Sequence, residues 1–396
     1  MTGTSGLPGG GVHDELERIT GAVAHGELTR RQFIERGVAL GLSVGALGAV
    51  LAACGEEETA EETPQAWDTT LPEQIHIYNW SDYMSPECLE NFEAEYGVKV
   101  RESYYDGNES MYAKLQAGAT GYDVIFPTDM WVTILRKSDL IQPLDMALIP
   151  NFANVTQEVF QKPAFDNPDT QDGKKYSVPY MFGTTGYAAT LAKVPAPQDS
   201  WGQLWDPAHK REISMLNAPR ETLGVGLIKL GYSPNTTSQE ELDQAVQQLI
   251  DQKPLVLKYD STNTRRSIVE GLALTHCWDG DVALAIKAIP ADDVTYVLPS
   301  EGYIVWADGI AIPKSSANPY AAHLFLNFML DPKNVGAAAD YIGYQPVVTA
   351  AMEYVTNETQ VAMRPTDEII EAGYLAEDVA DFQRNYDDAW REVVSA

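Results

Sequence analysis

Apolar and polar positions alternate through Ile75-His76-Ile77-Tyr78, the period-two pattern of a strand. Ser85-Pro86 then opens a helix, with serine as N-cap and proline at the first helical position. Leu89, Phe92 and Tyr96 fall on one face of that helix, and Gly97 stops it. A second strand is predicted over residues 98–104. Asn108 is placed to cap a helix bearing Met111, Tyr112 and Leu115 that ends near Gly118. Residues 122–126, apolar but for Asp123, read as a third strand running into Pro127-Thr128-Asp129-Met130. Strand, helix, strand, helix, strand with short links predicts an α/β layer whose parallel sheet is covered on both faces.

The texture changes over residues 176–186, strand-like and then Gly/Thr-rich, which suits a crossing into a second lobe. Another α/β series follows. Residues 213–216 form a strand, Asn217 a cap, and Glu221 falls in the first turn of a helix bearing Leu223, Leu227 and Leu230. Residues 272–278 form a strand leading into Asp279-Gly280-Asp281 and a further helix. Residues 303–308 are a strand able to return the chain to the first lobe. Asn318-Pro319 opens a helix that buries Leu324, Phe325, Phe328 and Met329. No internal repeat is visible.

The N-terminal pattern belongs to no fold. Thr29-Arg30-Arg31-Gln32-Phe33-Ile34 is a twin-arginine pattern, and residues 38–53 form an apolar, Gly/Ala-rich run too short for a comfortable membrane span. The run ends Leu51-Ala52-Ala53-Cys54, which resembles the lipobox of bacterial lipoproteins. The pattern predicts a Tat-type signal over 1–53 and lipidation of Cys54. Residues 55–70 hold five glutamates and almost no apolar side chains, the composition of a flexible tether. Gly41-Leu42-Ser43-Val44-Gly45 matches a hydrolase nucleophile elbow, but it lies inside the signal, where no strand-turn-helix can form.

Charge sharpens this picture. The chain carries 27 basic and 57 acidic residues, a formal net charge of −30. The signal region is nearly balanced, with Arg18, Arg30, Arg31 and Arg36 against Asp14, Glu15, Glu17, Glu27 and Glu35, so the remainder stays strongly acidic. Such a surface repels nucleic acid and anionic lipid and concentrates cations, although simple solubility or a salty habitat is the plainer account of most of it. The six histidines show no metal-ligand spacing and no Gly-rich phosphate loop appears, so neither metal nor cofactor is expected. Cys88 and Cys277 are either two buried free thiols or a pair that sequence cannot bring together.

The chemistry-bearing residues fall at strand ends. Trp80, Ser81, Asp82 and Tyr83 follow the first strand, where open α/β sheets bind ligands. Aromatic faces beside an anion suit an organic cation. Each residue also has a plain structural reading. Glu221 can complement a helix N-terminus, Asp308 can begin a turn, and Trp306 can be core.

Asn79-Trp80-Ser81-Asp82-Tyr83, Asn108-Glu109-Ser110-Met111-Tyr112-Ala113-Lys114-Leu115 and Tyr122-Asp123-Val124-Ile125-Phe126-Pro127 resemble the spermidine/putrescine-binding proteins of bacterial polyamine ABC transporters. Residues 176–186, Lys229-Leu230-Gly231-Tyr232-Ser233, residues 304–313 and Ile342-Gly343-Tyr344 continue the resemblance collinearly. It implies an α/β, two-lobed periplasmic-binding-protein-like (type II) fold with the ligand in the cleft between lobes. The expected division is 1–53 signal, 54–71 lipidated cysteine and tether, 72–184 with 308–350 as one lobe, and 185–307 with 351–396 as the other.

The resemblance further implies that Trp80, Ser81, Asp82, Tyr83 and Thr128 line the cleft from the first lobe. Glu221, Trp278 and Asp281 match second-lobe contacts, and Trp306-Ala307-Asp308 matches an aromatic-x-Asp motif near the crossing. Two positions depart from the spermidine-preferring pattern. Met130 replaces a tyrosine and Ala218 an aspartate, while Asp281 matches the putrescine-preferring relatives. With fewer fixed acids in the second lobe, a diamine is expected to bind at least as tightly as spermidine.

The chemistry is coherent on its own terms. Buried ammonium groups need carboxylates and neutral acceptors, which Asp82, Asp281, Asp308, Glu221, Ser81 and Thr128 can supply. Trp80, Tyr83, Trp278 and Trp306 can pack the methylenes. The expectation is a non-enzymatic, monomeric, lipid-anchored binding component of an importer, working outside the cytoplasmic membrane with permease subunits as partners. A site for another organic cation such as a quaternary amine, and a sensor subunit, are the alternatives. An envelope hydrolase would need a nucleophile–base pair, which the mature sequence does not display.

Overall fold

In the computed structural model, residues 67–396 are described, so the expected signal, Cys54 and most of the tether lie outside the described residues. Strand β1 (Gln74–Trp80) pairs in parallel with β2 (Lys99–Tyr105) on one side and with β3 (Val124–Ile125) on the other. Helices α1 (Pro86–Tyr96) and α2 (Asn108–Gln116) make the two crossovers. The strand order therefore reverses at β1, which makes its carboxyl end a topological switch point. Gly97, in the left-handed conformation, ends α1 as expected.

Two local expectations are corrected. Gly107, not Asn108, is the N-cap of α2, and the Asn108 side chain instead bonds both the backbone and the hydroxyl of Thr128. Ala218, not Asn217, precedes Pro219 at the start of the later helix, and Asn217 is exposed. The third strand is also shorter than the expected 122–126, because only Val124 and Ile125 find ladder partners.

The chain continues through α3 (Asp129–Lys137) and the short α4 (Glu158–Gln161) into β4 (Ser177–Thr190), a buried strand of 14 residues. Then come β5 (Ile213–Met215), α5 (Pro219–Lys229), α6 (Gln239–Gln252), β6 (Val256–Tyr259), α7 (Thr264–Val269), β7 (Leu274–Trp278), α8 (Asp279–Ala285) and β8 (Val294–Val297). Strand β9 (Ile304–Ala311) runs antiparallel to β4 from Thr185 back to Ser177, with a register shift at Pro179, whose ring nitrogen has no proton for the ladder. Beyond Thr185, β4 pairs with β7 and β8 instead.

These two strands join the lobes. Val178, Tyr180, Met181 and Phe182 of β4 pack in the core built on β1, whereas Tyr187 and Ala189 pack with Ile213, Met215 and Leu274. The fold is α/β and two-lobed. The first lobe's parallel strands meet antiparallel β9 and β4, so its sheet is mixed rather than wholly parallel. Helices α9 (Pro319–Met329) and α10 (Pro332–Ile342) cover the first core.

Strand β10 (Gln345–Pro346) adds to β4 at Phe182 and Met181. Ala351 and Val355, expected with the second lobe, pack in the first core. The chain then passes through α11 (Glu358–Ala362) and α12 (Asp367–Ala372) to α13 (Gln383–Ser395). There Tyr386, Trp390 and Val393 close a core with Leu223, Leu227 and Leu242. Cys88 and Cys277 are both buried free thiols. Among the described residues, no helix is long and apolar enough to cross a membrane.

Candidate functional site: an acidic, aromatic cleft

Where β4 and β9 cross, Gly183 faces Trp306. A Cβ on Gly183 would lie 2.5 Å from both the Trp306 ring and an Asp279 oxygen, so the indole is seated directly on bare backbone. Tyr344 meets that indole edge-on at 4.9 Å and also meets Tyr83, 5.9 Å away. Gly280 is needed for the same reason, since a Cβ there would approach the Tyr344 ring to 2.3 Å. Sequence reading did not single out Tyr344 as a site residue, although its Gly-Tyr motif was visible.

Asp308 is the fixed point of this wall. Only 6% exposed, it accepts a 2.5 Å hydrogen bond from the Tyr83 hydroxyl and bridges in antiparallel fashion to Thr128. Burial pushes its carboxyl up to about 6, against the opposing effects of the neighbouring Thr128 and Tyr83 hydroxyls. Its second oxygen, Oδ1, has no hydrogen-bond partner.

The opposite side comes from the second lobe. Glu221 lies in the first turn of α5, beside Thr185 and the Trp278 indole, with its carboxyl raised by burial to about 7. Asp281, in the first turn of α8, is likewise raised by burial to about 7, with Thr264 beside it. Each leaves one carboxylate oxygen unpartnered. Asp279 is also raised by burial to about 7, but its oxygens are engaged by the backbone N–H groups of Gly280 and Thr184. It holds the crossing strand to α8.

The expected residues thus separate into groups. Tyr83, Thr128, Trp306 and Asp308 converge through direct contacts, and Glu221 lies within the electrostatic reach of Asp308. Trp278 and Asp281 approach from β7 and α8. Trp80 is half-buried with its indole N–H donated to the Phe126 carbonyl at 2.9 Å, so it can offer a ring face but no further proton. Ser81 and Asp82 are exposed, Asp82 with φ 56°, beyond the buried wall. Two buried charges were missed. Asp129, 1% exposed, follows Thr128, and Arg220 precedes Glu221. Their signal was position alone, since both adjoin residues already selected.

No cation neutralises the inner acids in an ion pair among the described residues. Arg220 is spent on Gln383, Asn235, the Glu377 and Pro234 carbonyls and Met130 Sδ, with its guanidinium 4.4 Å over the Tyr386 ring. No group of histidines, cysteines and acids among these residues is arranged to hold a metal ion. A buried wall of unpaired carboxylate oxygens among aromatic rings has the complement of an apolar, multiply charged cation.

Comparison with known proteins agrees with this architecture. Residues 87–365 match the bacterial extracellular solute-binding protein family. The chain belongs to that family. The spermidine/putrescine-binding periplasmic protein of Escherichia coli is 33% identical over 324 residues, covering 81% of this chain and 91% of its own length. The putrescine-binding periplasmic protein of the same species is 31% identical over 303 residues, 72% of this chain and 81% of that one. Among solved structures, the spermidine/putrescine ABC transporter substrate-binding protein of Streptococcus pneumoniae superposes with a TM-score of 0.69 at 29% identity. It covers 82% of this chain and 99% of its own. Membership in a solute-binding family fits a cleft that encloses rather than transforms its ligand, and these relatives are periplasmic.

Proposed function

We propose that this protein captures a polyamine outside the cytoplasmic membrane and delivers it to the permease of an ABC importer. The observation that carries this reading is the row of buried carboxylates, Asp308, Glu221 and Asp281, each with an unpartnered oxygen and set among Tyr83, Trp278, Trp306 and Tyr344. Ammonium groups would supply both the missing charge and the missing donors, and the rings would pack the methylenes between them. A quaternary amine would satisfy the rings but could not donate to the free oxygens, so the carboxylates favour protonated amines. The role is binding and release by hinged closure about β4 and β9, without catalysis.

Isothermal titration of the mature protein with putrescine, spermidine, choline, amino acids and sugars tests the reading. Saturable one-to-one binding of a polyamine alone is expected, and tighter binding of choline or a sugar would overturn it. Anchoring through Cys54 is part of the same proposal, resting on the Leu51-Ala52-Ala53-Cys54 sequence. Cys54→Ala should release the protein from membranes, and a variant that stays membrane-bound and is still processed at residue 54 would remove the anchor. Lysine replacement of Arg30 and Arg31 should stall export, and normal export of that variant would remove the Tat signal.

A further inference from the structure

Asp129 is the first residue of α3 and is 1% exposed, although an acid in a helix's first turn is ordinarily solvated. Its Oδ1 accepts from the Met130 N–H, while Oδ2 is buried without any partner. Its charged neighbours come from both sides of the cleft: Asp308 from the crossing strand, and Glu221 and Arg220 from α5. Its carboxyl is therefore within electrostatic reach of residues from both lobes. Arg220 reaches across to Met130 Sδ at 3.3 Å but makes no ion pair with Asp129.

The acids form a row. Tyr344 lies in the field of Asp281, Asp279 and Asp308, and Asp308 in turn neighbours Glu221 and Asp129. A diamine has charges for two stations of that row. Asp129 adds a further acid to that group, where Ala218 at the start of α5 supplies none.

We propose that Asp129 is a ligand-holding residue that meets the additional ammonium of a triamine and makes this cleft prefer spermidine to putrescine. The inference rests on the polyamine reading above, and it reverses the ordering that Ala218 by itself suggested. The acid absent from the second lobe is supplied from the first, one residue after Thr128.

The test is a pair of titrations, spermidine and putrescine in the same buffer, on the wild-type protein and on Asp129→Asn. Wild type should bind spermidine at least about tenfold more tightly than putrescine. Asp129→Asn should bring the two affinities to within about threefold by weakening spermidine and leaving putrescine nearly unchanged. Equal weakening of both ligands, together with a lower melting temperature of the ligand-free variant, would show that Asp129 merely balances Arg220 and would overturn the inference. So would an unchanged ratio.

A second measurement needs no variant. Burial raises the Asp129 carboxyl to about 8, so at pH 7 the empty cleft holds its proton, and a bound ammonium must displace it. Spermidine should then release about one proton more than putrescine, read from binding enthalpies in buffers of different ionisation heat. Equal release would overturn the assignment. If neither amine binds the wild-type protein, the polyamine reading itself fails, which is a different result from an insensitive ratio.

Discussion

Asp82 precedes Tyr83 in the chain and Asp308 accepts the Tyr83 hydroxyl, yet the structure treats these two aspartates differently. Asp82 is exposed at the end of β1, in a left-handed conformation that aspartate tolerates, with Glu102 and Tyr104 in its field. Asp308 is buried on the crossing strand, with Tyr83 and Thr128 against it and one oxygen free. A charge in water acts at a distance and is screened by salt. A charge in the interior is screened far less, and leaving it without a partner is costly. An exposed acid, here the rim, can gather cations, while a buried one, here the floor, must hold them.

The sharpest way to break this contrast is at the floor. Asp308→Asn should weaken polyamine binding by about a hundredfold or more, because an ammonium would be buried without its counter-charge. Calorimetry reads the loss, and a variant that binds like wild type would make Asp308 a structural residue.

Acid pH should imitate that substitution. Asp308, Glu221 and Asp281 titrate near 6, 7 and 7 in the empty cleft, so lowering the pH from 8 to 5 protonates all three and sets ligand binding against proton release. Affinity should fall by about tenfold or more across that range. The ligand-free protein should respond oppositely. Carboxyls whose folded values exceed the usual 3.8 or 4.5 bind more protons folded than unfolded. Stability should therefore decline as pH rises from about 4 to about 7. A melting temperature measured across that window should show a shallower slope in Asp308→Asn.

Trp306→Ala removes packing but no charge, and a loss of about tenfold is expected, in keeping with cation–π and contact energies of about 0.5–2 kcal/mol. At the rim, Asp82→Asn should cost about threefold or less at low salt and nothing measurable at high salt. A large, salt-independent loss at Asp82 would mean that the rim closes over the ligand and that floor and rim are one site.

Several features were legible because they are local. Proline after serine, glycine at Gly97, and the alternation through β1 each act within a turn or a strand, so periodicity placed them to within a residue or two. Asn108 shows the limit. Its type fits a cap, but a tertiary partner, Thr128, claimed the side chain and left the cap to Gly107. The aromatic and acidic residues at strand ends were visible as a pattern, and the family resemblance added Asp308 and Trp306 to it.

The sequence by itself determined the α/β alternation, the two-lobe crossing in the glycine- and threonine-rich stretch, and an excess of acids over bases that favours cationic ligands. It did so because side-chain periodicity, turn chemistry and net charge are properties of neighbours along the chain. Only the tertiary structure decided which acids are buried and which are exposed. Asp82, chosen with its neighbours, came to lie in solvent, while Asp129, not singled out, is buried with Arg220 and Glu221 of α5 among its charged neighbours. Burial depends on what packs against a residue from far along the chain. No local pattern encodes how water is excluded when two distant segments meet.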